Sequence, residues 1–147
     1  MLRYHYGFTL VEVLIVVFIM AILAATILPQ FADATKDAKV ATAIFNLNTL
    51  RAQVQFYKSQ HQGRLPGPAL LELTSKTDVN GTIGTTSAHV HGPYLASLPE
   101  NPITGSTTIR ATPTNPPASA SGAANAGWLY HSGSGGVWLD DPNLLSE

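Results

Sequence analysis

The chain has 147 residues, which is enough for one modest domain with a single core. Its formal net charge of −1 gives no reason to expect nucleic acid as a partner, and the absence of cysteine excludes disulfides, thiolate catalysis and cysteine-ligated zinc. Charged residues make up only 12% of the chain and much of the apolar character falls in the first third, so the sequence has two unlike parts.

An apolar run from Phe8 to Leu28 dominates the first part. Because about 20 helical residues span the hydrocarbon core of a bilayer, this run predicts a membrane-spanning helix. A secretory signal peptide is the competing interpretation, with Arg3 in its basic region and Ala32-Asp33-Ala34 as its cleavage site, but its apolar stretch is normally about 7–15 residues. The positively charged residues that flank the run, Arg3 against Lys36 and Lys39, do not decide its orientation.

Two residues stand out against this run. Glu12 places a carboxylate inside it, where a charge costs free energy unless it has a partner. Pro29 lacks an amide hydrogen and crowds the carbonyl of Ala25, which predicts a helix kink at Pro29.

Beyond Pro29 the helical pattern continues to about His61 and becomes amphipathic. Spacings of three and four predict one apolar stripe that packs against the C-terminal half of the chain: Val40, Ala43, Leu47, Leu50, Val54 and Tyr57. A smaller apolar set is expected to widen this face: Ala34, Ala38, Ala41, Phe45 and Ala52.

Residues 62–147 read as a small, turn-rich domain. Gly67-Pro68 before ALLELTSK predicts a short helix, and Asn80-Gly81 predicts a turn or weak hairpin. STTIRA predicts a strand, and a loop rich in proline, alanine and serine follows from Thr112 to Ala126. GWLYH and VWLDD, joined by SGSGG, predict a β-hairpin. The expected fold class is α+β, with a long N-terminal helix packed on a small antiparallel sheet.

The stretch GFTLVEVLIVVFIMAILAATILPQF resembles the N-terminal signature of type IV pilins and of the pseudopilins of type II secretion. FYKSQHQGRLP and GPYLASLPENPITG resemble major pseudopilins more loosely. The resemblance implies cleavage by a prepilin peptidase between Gly7 and Phe8, N-methylation of Phe8, and a role for Phe8 and Glu12 in subunit assembly. It also implies the same pilin-like fold.

The function implied by this resemblance is that of a structural subunit of a pseudopilus or type IV pilus-like filament in type II protein secretion, not an enzyme. The implied partners are further copies of the chain, the prepilin peptidase, an inner-membrane assembly platform and minor pseudopilins. The implied segments are a leader (1–7), a transmembrane and assembly half-helix (8–30), an amphipathic half-helix (31–61) and a periplasmic domain (62–147). The chain would cross the inner membrane once, with its N-terminus cytoplasmic, and would enter a periplasmic or extracellular filament on assembly.

Alternative functions stay open: a minor pseudopilin, a competence pilin, or a membrane-anchored periplasmic binding module. The leader MLRYHYG holds one arginine where the family usually has several basic residues, and a disulfide that often closes type IV pilins is impossible here, which favours a pseudopilin.

Metal and cofactor sites are not expected from the sequence. Pseudopilins often bind calcium through an acidic C-terminal loop, but the candidates Asp140, Asp141, Glu100 and Asp78 do not make up the six to eight oxygen ligands that calcium takes. His89 and His91 would share a face of a strand but lack a third ligand at a recognisable spacing. The aromatic residues near the C-terminus are expected in the core of the sheet: Trp128, Tyr130 and Trp138.

Overall fold

The computed structural model describes residues 7–120 and 126–145. Its elements are a helix, α1 (Leu10–Gln60), one 3₁₀ turn (Leu71–Leu73) and the strands β1 (Ile109–Ala111), β2 (Trp128–His131) and β3 (Gly136–Leu139). The chain divides into two compact units, Met1–Ala38 and Lys39–Glu147, called here the first and the second unit.

The first unit is helical from Leu10 onward, as the apolar run predicts. Leu10–Ile27 is long and apolar enough to cross a membrane, with a mean hydropathy of 2.9. Every residue from Gly7 to Ile27 is exposed. The backbone stays helical through Pro29, and the kink predicted there is still a prediction.

The second unit contains the hydrophobic core, and the apolar stripe of α1 forms one side of it. Five of the six stripe residues are fully or almost fully buried: Ala43, Leu47, Leu50, Val54 and Tyr57. They pack with residues of the 3₁₀ turn region and the sheet: Leu70, Leu73, Trp128, Tyr130, Val137 and Leu139. The predicted amphipathic helix is therefore confirmed.

The smaller apolar set does not widen this buried face, so that expectation is wrong. Each of its members is exposed: Ala34, Ala38, Ala41, Phe45 and Ala52. The reason is the angular position of these residues around the axis of α1. At about 100° per residue, Phe45 and Ala52 in the second unit project from roughly the opposite side of α1 to Leu47 and Leu50.

The sheet has the order β1-β2-β3. β2 and β3 form the predicted hairpin, with Trp128 opposite Leu139 in an antiparallel register. β1 pairs with β2 in parallel, with Ile109 opposite Trp128. The α+β class is confirmed, but the sheet is mixed rather than antiparallel throughout. The connection 112–127 explains this, because it is long enough to return the chain to the edge where β1 began.

Two predicted local features differ in detail. The short helix expected in ALLELTSK is a single 3₁₀ turn, preceded by Leu70 in a left-handed conformation (φ 54°) that accompanies complete burial of its side chain. The turn at Asn80-Gly81 is confirmed. Gly81 has a φ of 87°, the Asp78 amide donates to the Thr82 carbonyl, and Thr77 bridges to Ile83.

Candidate functional site

The N-terminal segment places Glu12 in a capping box at the start of α1. Thr9 precedes the first helical residue, and its Oγ1 accepts a hydrogen bond from the Glu12 amide at 3.3 Å. In return, Glu12 Oε2 accepts hydrogen bonds from the Thr9 amide at 2.8 Å and from the Thr9 hydroxyl at 2.7 Å. This reciprocal pattern satisfies amides that the first turn of a helix otherwise leaves unpaired. Glu12 therefore has a partner inside its own chain.

The capping box occupies only one of the two carboxylate oxygens. Among the residues that the structure describes, Oε1 of Glu12 accepts no hydrogen bond and the carboxylate makes no ion pair. An ionised carboxylate has room for several donors on its two oxygens. Glu12 can thus cap its own helix and still accept a second, external partner.

The predicted cleavage site, Gly7 and Phe8, lies in exposed, non-helical backbone just before α1. Phe8 is 77% exposed, and a side chain at Gly7 would meet no other group of the described residues. An exposed, non-helical segment is the form of chain that a peptidase can reach. Phe8, Thr9 and Glu12 are close together in sequence and space, whereas Pro29 lies well along the helix.

The acidic residues considered for calcium serve other contacts. Asp140 is fully buried and accepts two hydrogen bonds from Arg110, Nη2 to Oδ1 at 2.9 Å and Nε to Oδ2 at 3.3 Å. Asp78 Oδ1 accepts the amides of Asn80 and Thr82, and the Thr82 hydrogen bond in particular lowers the pKa of Asp78. Within residues 7–120 and 126–145, no group of three His, Asp or Glu side chains could hold a metal ion.

The histidines considered as metal ligands are also otherwise engaged. His89 Nδ1 is 2.8 Å from the Thr86 hydroxyl. The ring of His91 lies 5.0 Å from that of His61, a fully buried residue whose Nδ1–H donates to the Tyr57 carbonyl. Sequence analysis missed His61, although its place four residues after Tyr57 continues the buried stripe of α1.

The aromatic residues of the hairpin are split between the core and the surface. Trp128 and Tyr130 are fully buried as expected, and each polar tip has a partner: Trp128 Nε1 donates to the Pro99 carbonyl and the Tyr130 hydroxyl to the Pro66 carbonyl. Burial raises the pKa of Tyr130. Trp138 is only half-buried, because its side chain alternates to the other face of β3 from Val137 and Leu139.

Comparison with known proteins bears on the N-terminal segment. The family described as the prokaryotic N-terminal methylation motif matches residues 2–28, the stretch that holds the exposed Gly7–Phe8 bond, the capping box and most of the apolar helix. Residues 2–28 of the chain thus carry a prepilin-type N-terminal methylation motif. Pilins and pseudopilins, in which such a motif occurs, are structural subunits and not enzymes, which is consistent with the non-enzymatic expectation for this chain.

Three curated relatives are of two kinds. The chain is 36% identical to a fimbrial protein of Neisseria meningitidis serogroup B over 93 residues, which is 63% of this chain and 48% of the relative. It is 36% identical to a fimbrial protein of Neisseria meningitidis serogroup A over 75 residues, 51% of this chain and 44% of the relative. It is 39% identical to the type II secretion system core protein G of Pseudomonas aeruginosa over 56 residues, 38% of this chain and 39% of the relative.

The chain spans half or less of the length of each of these relatives. No solved structure matches it significantly.

Proposed function

We propose that the chain is a structural subunit of a pseudopilus or related type IV pilus-like filament that serves type II protein secretion. The observation that carries this proposal is that the methylation motif coincides with a helix whose apolar side chains from Phe8 to Ile27 are exposed in the described residues. A helix that is apolar all round requires lipid or other protein around it. A subunit that first lies in a membrane and later packs into a filament has lipid around this helix at first and protein around it afterwards.

The processing steps follow from the motif. Leu10–Ile27 inserts in the inner membrane with the N-terminus cytoplasmic and residues 62–147 in the periplasm. The prepilin peptidase removes the leader (1–7) at the Gly7–Phe8 bond, and Phe8 is N-methylated. Segment 8–30 then serves assembly and segment 31–61 carries the amphipathic stripe. The inner-membrane assembly platform and minor pseudopilins are the further partners of this proposal.

Glu12 has two roles in this account. Cleavage creates a cationic amine on Phe8, and methylation leaves that amine able to carry charge. In the filament this amine donates to Glu12 of a neighbouring copy, using the oxygen that the capping box leaves open. Removing one partner from a buried ion pair costs roughly 3–5 kcal/mol, which is enough to prevent assembly.

Three variants separate the cap from the ion pair. Glu12→Ala removes both, whereas Glu12→Gln keeps the capping box, since glutamine also serves at this position, and removes the charge. Thr9→Val keeps the carboxylate and removes the hydroxyl of the cap, at a cost of about 0.5–2 kcal/mol. We expect normal processing in each, poor assembly of both Glu12 variants and nearly normal assembly of Thr9→Val.

Intact mass measures the processing, and the yield of filaments sheared from cells measures the assembly. If Glu12→Gln gives a normal yield of filaments and Glu12→Ala gives a low yield, Glu12 serves only the helix cap and not an ion pair. Normal filaments from both would contradict a role for Glu12 in assembly, and absence of filaments from the unmodified chain would contradict the subunit function itself.

The fimbrial relatives favour a surface pilus as a second candidate. Deletion of the gene separates the two. Loss of protein secretion without loss of surface fibres supports the pseudopilus, and loss of surface fibres with normal secretion supports the pilus. If the chain is instead a membrane-anchored binding module, deletion of the gene should reduce neither protein secretion nor surface fibres.

A further inference from the structure

A pocket of about 310 Å³ opens between α1 and the β2–β3 hairpin, entirely within the second unit. Its lining combines one charged side chain, two side-chain amides and one aromatic ring, those of Arg51, Gln55, Asn115 and Trp138. The turn and first residues of β3 complete it, from Ser134 to Val137. A concave surface with an aromatic wall and a few polar groups that converge on it is the usual form of a small-ligand site.

The ring of Trp138 forms one wall of this pocket. Trp138 and Gly136 are two residues apart in β3, so both lie on the face of the strand away from the core side chain of Val137. A Cβ atom at Gly136 would come within 2.8 Å of Cζ2 and Cζ3 of the Trp138 ring. Because Gly136 has no left-handed φ, the glycine is explained by room for the ring and not by backbone conformation. The half-buried ring rests on the strand and keeps part of its surface for the pocket.

Arg51 brings a positive charge to the same pocket. Its Nε donates to the Val137 carbonyl at 3.0 Å, which ties the guanidinium to β3 at the edge of the sheet. A guanidinium stays charged in proteins, and its Nη1 and Nη2 carry four further N–H groups. Gln55 follows Arg51 by four residues, so its amide lies on the same side of α1. Among the described residues that line the pocket, none is acidic, so the pocket favours an anionic ligand.

The other lining groups narrow the class of anion to a sugar ring that carries a carboxylate. A carboxylate forms charge-assisted hydrogen bonds with a guanidinium. The hydroxyls of a sugar donate and accept hydrogen bonds, and so do the side-chain amides of Gln55 and Asn115. An indole offers a broad apolar face, on which the C–H groups of a sugar ring can lie. A short acidic peptide such as triglutamate would use the cation but would place no ring on Trp138.

We propose that this pocket binds an acidic saccharide, with Arg51 as the partner of the carboxylate and Trp138 as the surface for the sugar ring. The site lies in the second unit, apart from the segment that holds Phe8 and Glu12, and it does not depend on the filament function.

Isothermal titration calorimetry of the full chain in detergent micelles tests the site with trigalacturonic acid, its methyl ester and triglutamate. The acid binds saturably, and the ester and triglutamate bind at least about ten-fold more weakly, since each lacks one of the two recognised features. Arg51→Met abolishes the difference between acid and ester, whereas Arg51→Lys keeps the charge and part of that difference. Trp138→Ala weakens the acid and the ester by the same factor, because contact with the ring does not depend on the charge.

The matched control is Arg64→Met, which removes an exposed positive charge outside the pocket and leaves the affinities of acid and ester unchanged. Urea unfolding checks that each variant keeps its fold, and the comparison of acid with ester in the unmodified chain needs no variant. Three results would overturn the proposal: no saturable binding of the acid, equal affinity for acid and ester, or an undiminished difference in Arg51→Met. If triglutamate binds as tightly as the acid and Trp138→Ala changes neither affinity, the pocket takes peptide carboxylates and the proposal also fails.

Discussion

The two units use the same apolar residue types in opposite ways. In the first unit, the large apolar side chains from Phe8 to Ile27 are between 46% and 81% exposed. In the second unit, the side chains of the core, among them Leu47, Leu50, Val54, Trp128 and Tyr130, are fully buried against one another. An extended apolar surface of this kind marks a site for membrane or protein contact. The second unit therefore completes a core within one chain, whereas the described apolar helix of the first unit leaves its side chains exposed.

The carboxylates of the two units show the same contrast. Asp140 in the second unit uses both of its oxygens on Arg110 and has no solvent exposure. Glu12 in the first unit is exposed and uses one oxygen on Thr9. The second unit satisfies its buried charge internally, and the first leaves acceptor capacity for another molecule.

The largest expected effect comes from the core of the second unit. Trp128→Ala should lower the free energy of unfolding by about 3–5 kcal/mol, since it removes a fully buried ring and leaves a cavity. Trp138→Ala is the matched control in the paired strand and should cost clearly less, because that ring is half-buried. Urea unfolding of a fragment from Lys39 to Glu147 measures both. Equal losses would show that the fragment does not keep the core described here.

A smaller loss is expected at the ion pair of the second unit. Asp140→Asn should destabilise the fragment by about 1–3 kcal/mol, because it removes charge-assisted hydrogen bonds while Arg110 can still reach water. Asp141→Asn removes a neighbouring carboxylate that accepts the Asn143 amide and, among the described residues, no further hydrogen bond. It should change stability by less than about 0.5 kcal/mol. The same urea titration compares the two. A loss from Asp141→Asn as large as that from Asp140→Asn would assign the effect to net charge.

Alkaline pH should destabilise the second unit through its tyrosines. Burial, with a further contribution from the Glu72 carboxylate, raises the pKa of Tyr57 to about 12, against about 10 in an unfolded chain. The folded state holds this proton more tightly, so the stability is present in full below about pH 10 and is lost as the pH rises through about 12. Urea midpoints over this range measure the fall, and Tyr57→Phe should make it shallower. An identical fall in that variant would exclude Tyr57 as the source.

The smallest expected effect is that of calcium. Chelation should leave the thermal unfolding midpoint of the fragment unchanged, because Asp140 is held by Arg110 and Asp78 by backbone amides of its own turn. Calcium needs six to eight oxygens, and these two carboxylates are already engaged. Differential scanning calorimetry with and without a chelator makes the measurement. A large drop, with saturable calcium binding, would show that the acidic residues form a site.

Local patterns in the sequence predicted much of this structure. The stripe of α1, the hairpin of β2 and β3 and the turn at Asn80-Gly81 all depend on periods or turn residues within a short window. The capping box was also readable, because threonine followed three residues later by glutamate before an apolar run is its signature. The apolar run around Glu12 hides this signature, because it draws attention to the cost of the charge and not to the threonine three residues before it.

Non-local features were not predictable in the same way. The parallel pairing of β1 with β2 depends on the path of the connection 112–127, which no periodicity encodes. Arg110 and Asp140 are 30 residues apart, and nothing local joins them. The exposed position of Phe45 follows from which side of α1 the sheet covers, and an apolar residue alone does not reveal that side.

The central claim is that segment 8–30 is retained in the mature chain and is covered by other copies in the filament. The intact mass of the subunit in sheared filaments tests it most directly. The account predicts a chain that begins at Phe8 and carries one added methyl group. A mature chain that begins near Thr35 would contradict it, because the exposed apolar helix would then have been removed as a signal peptide.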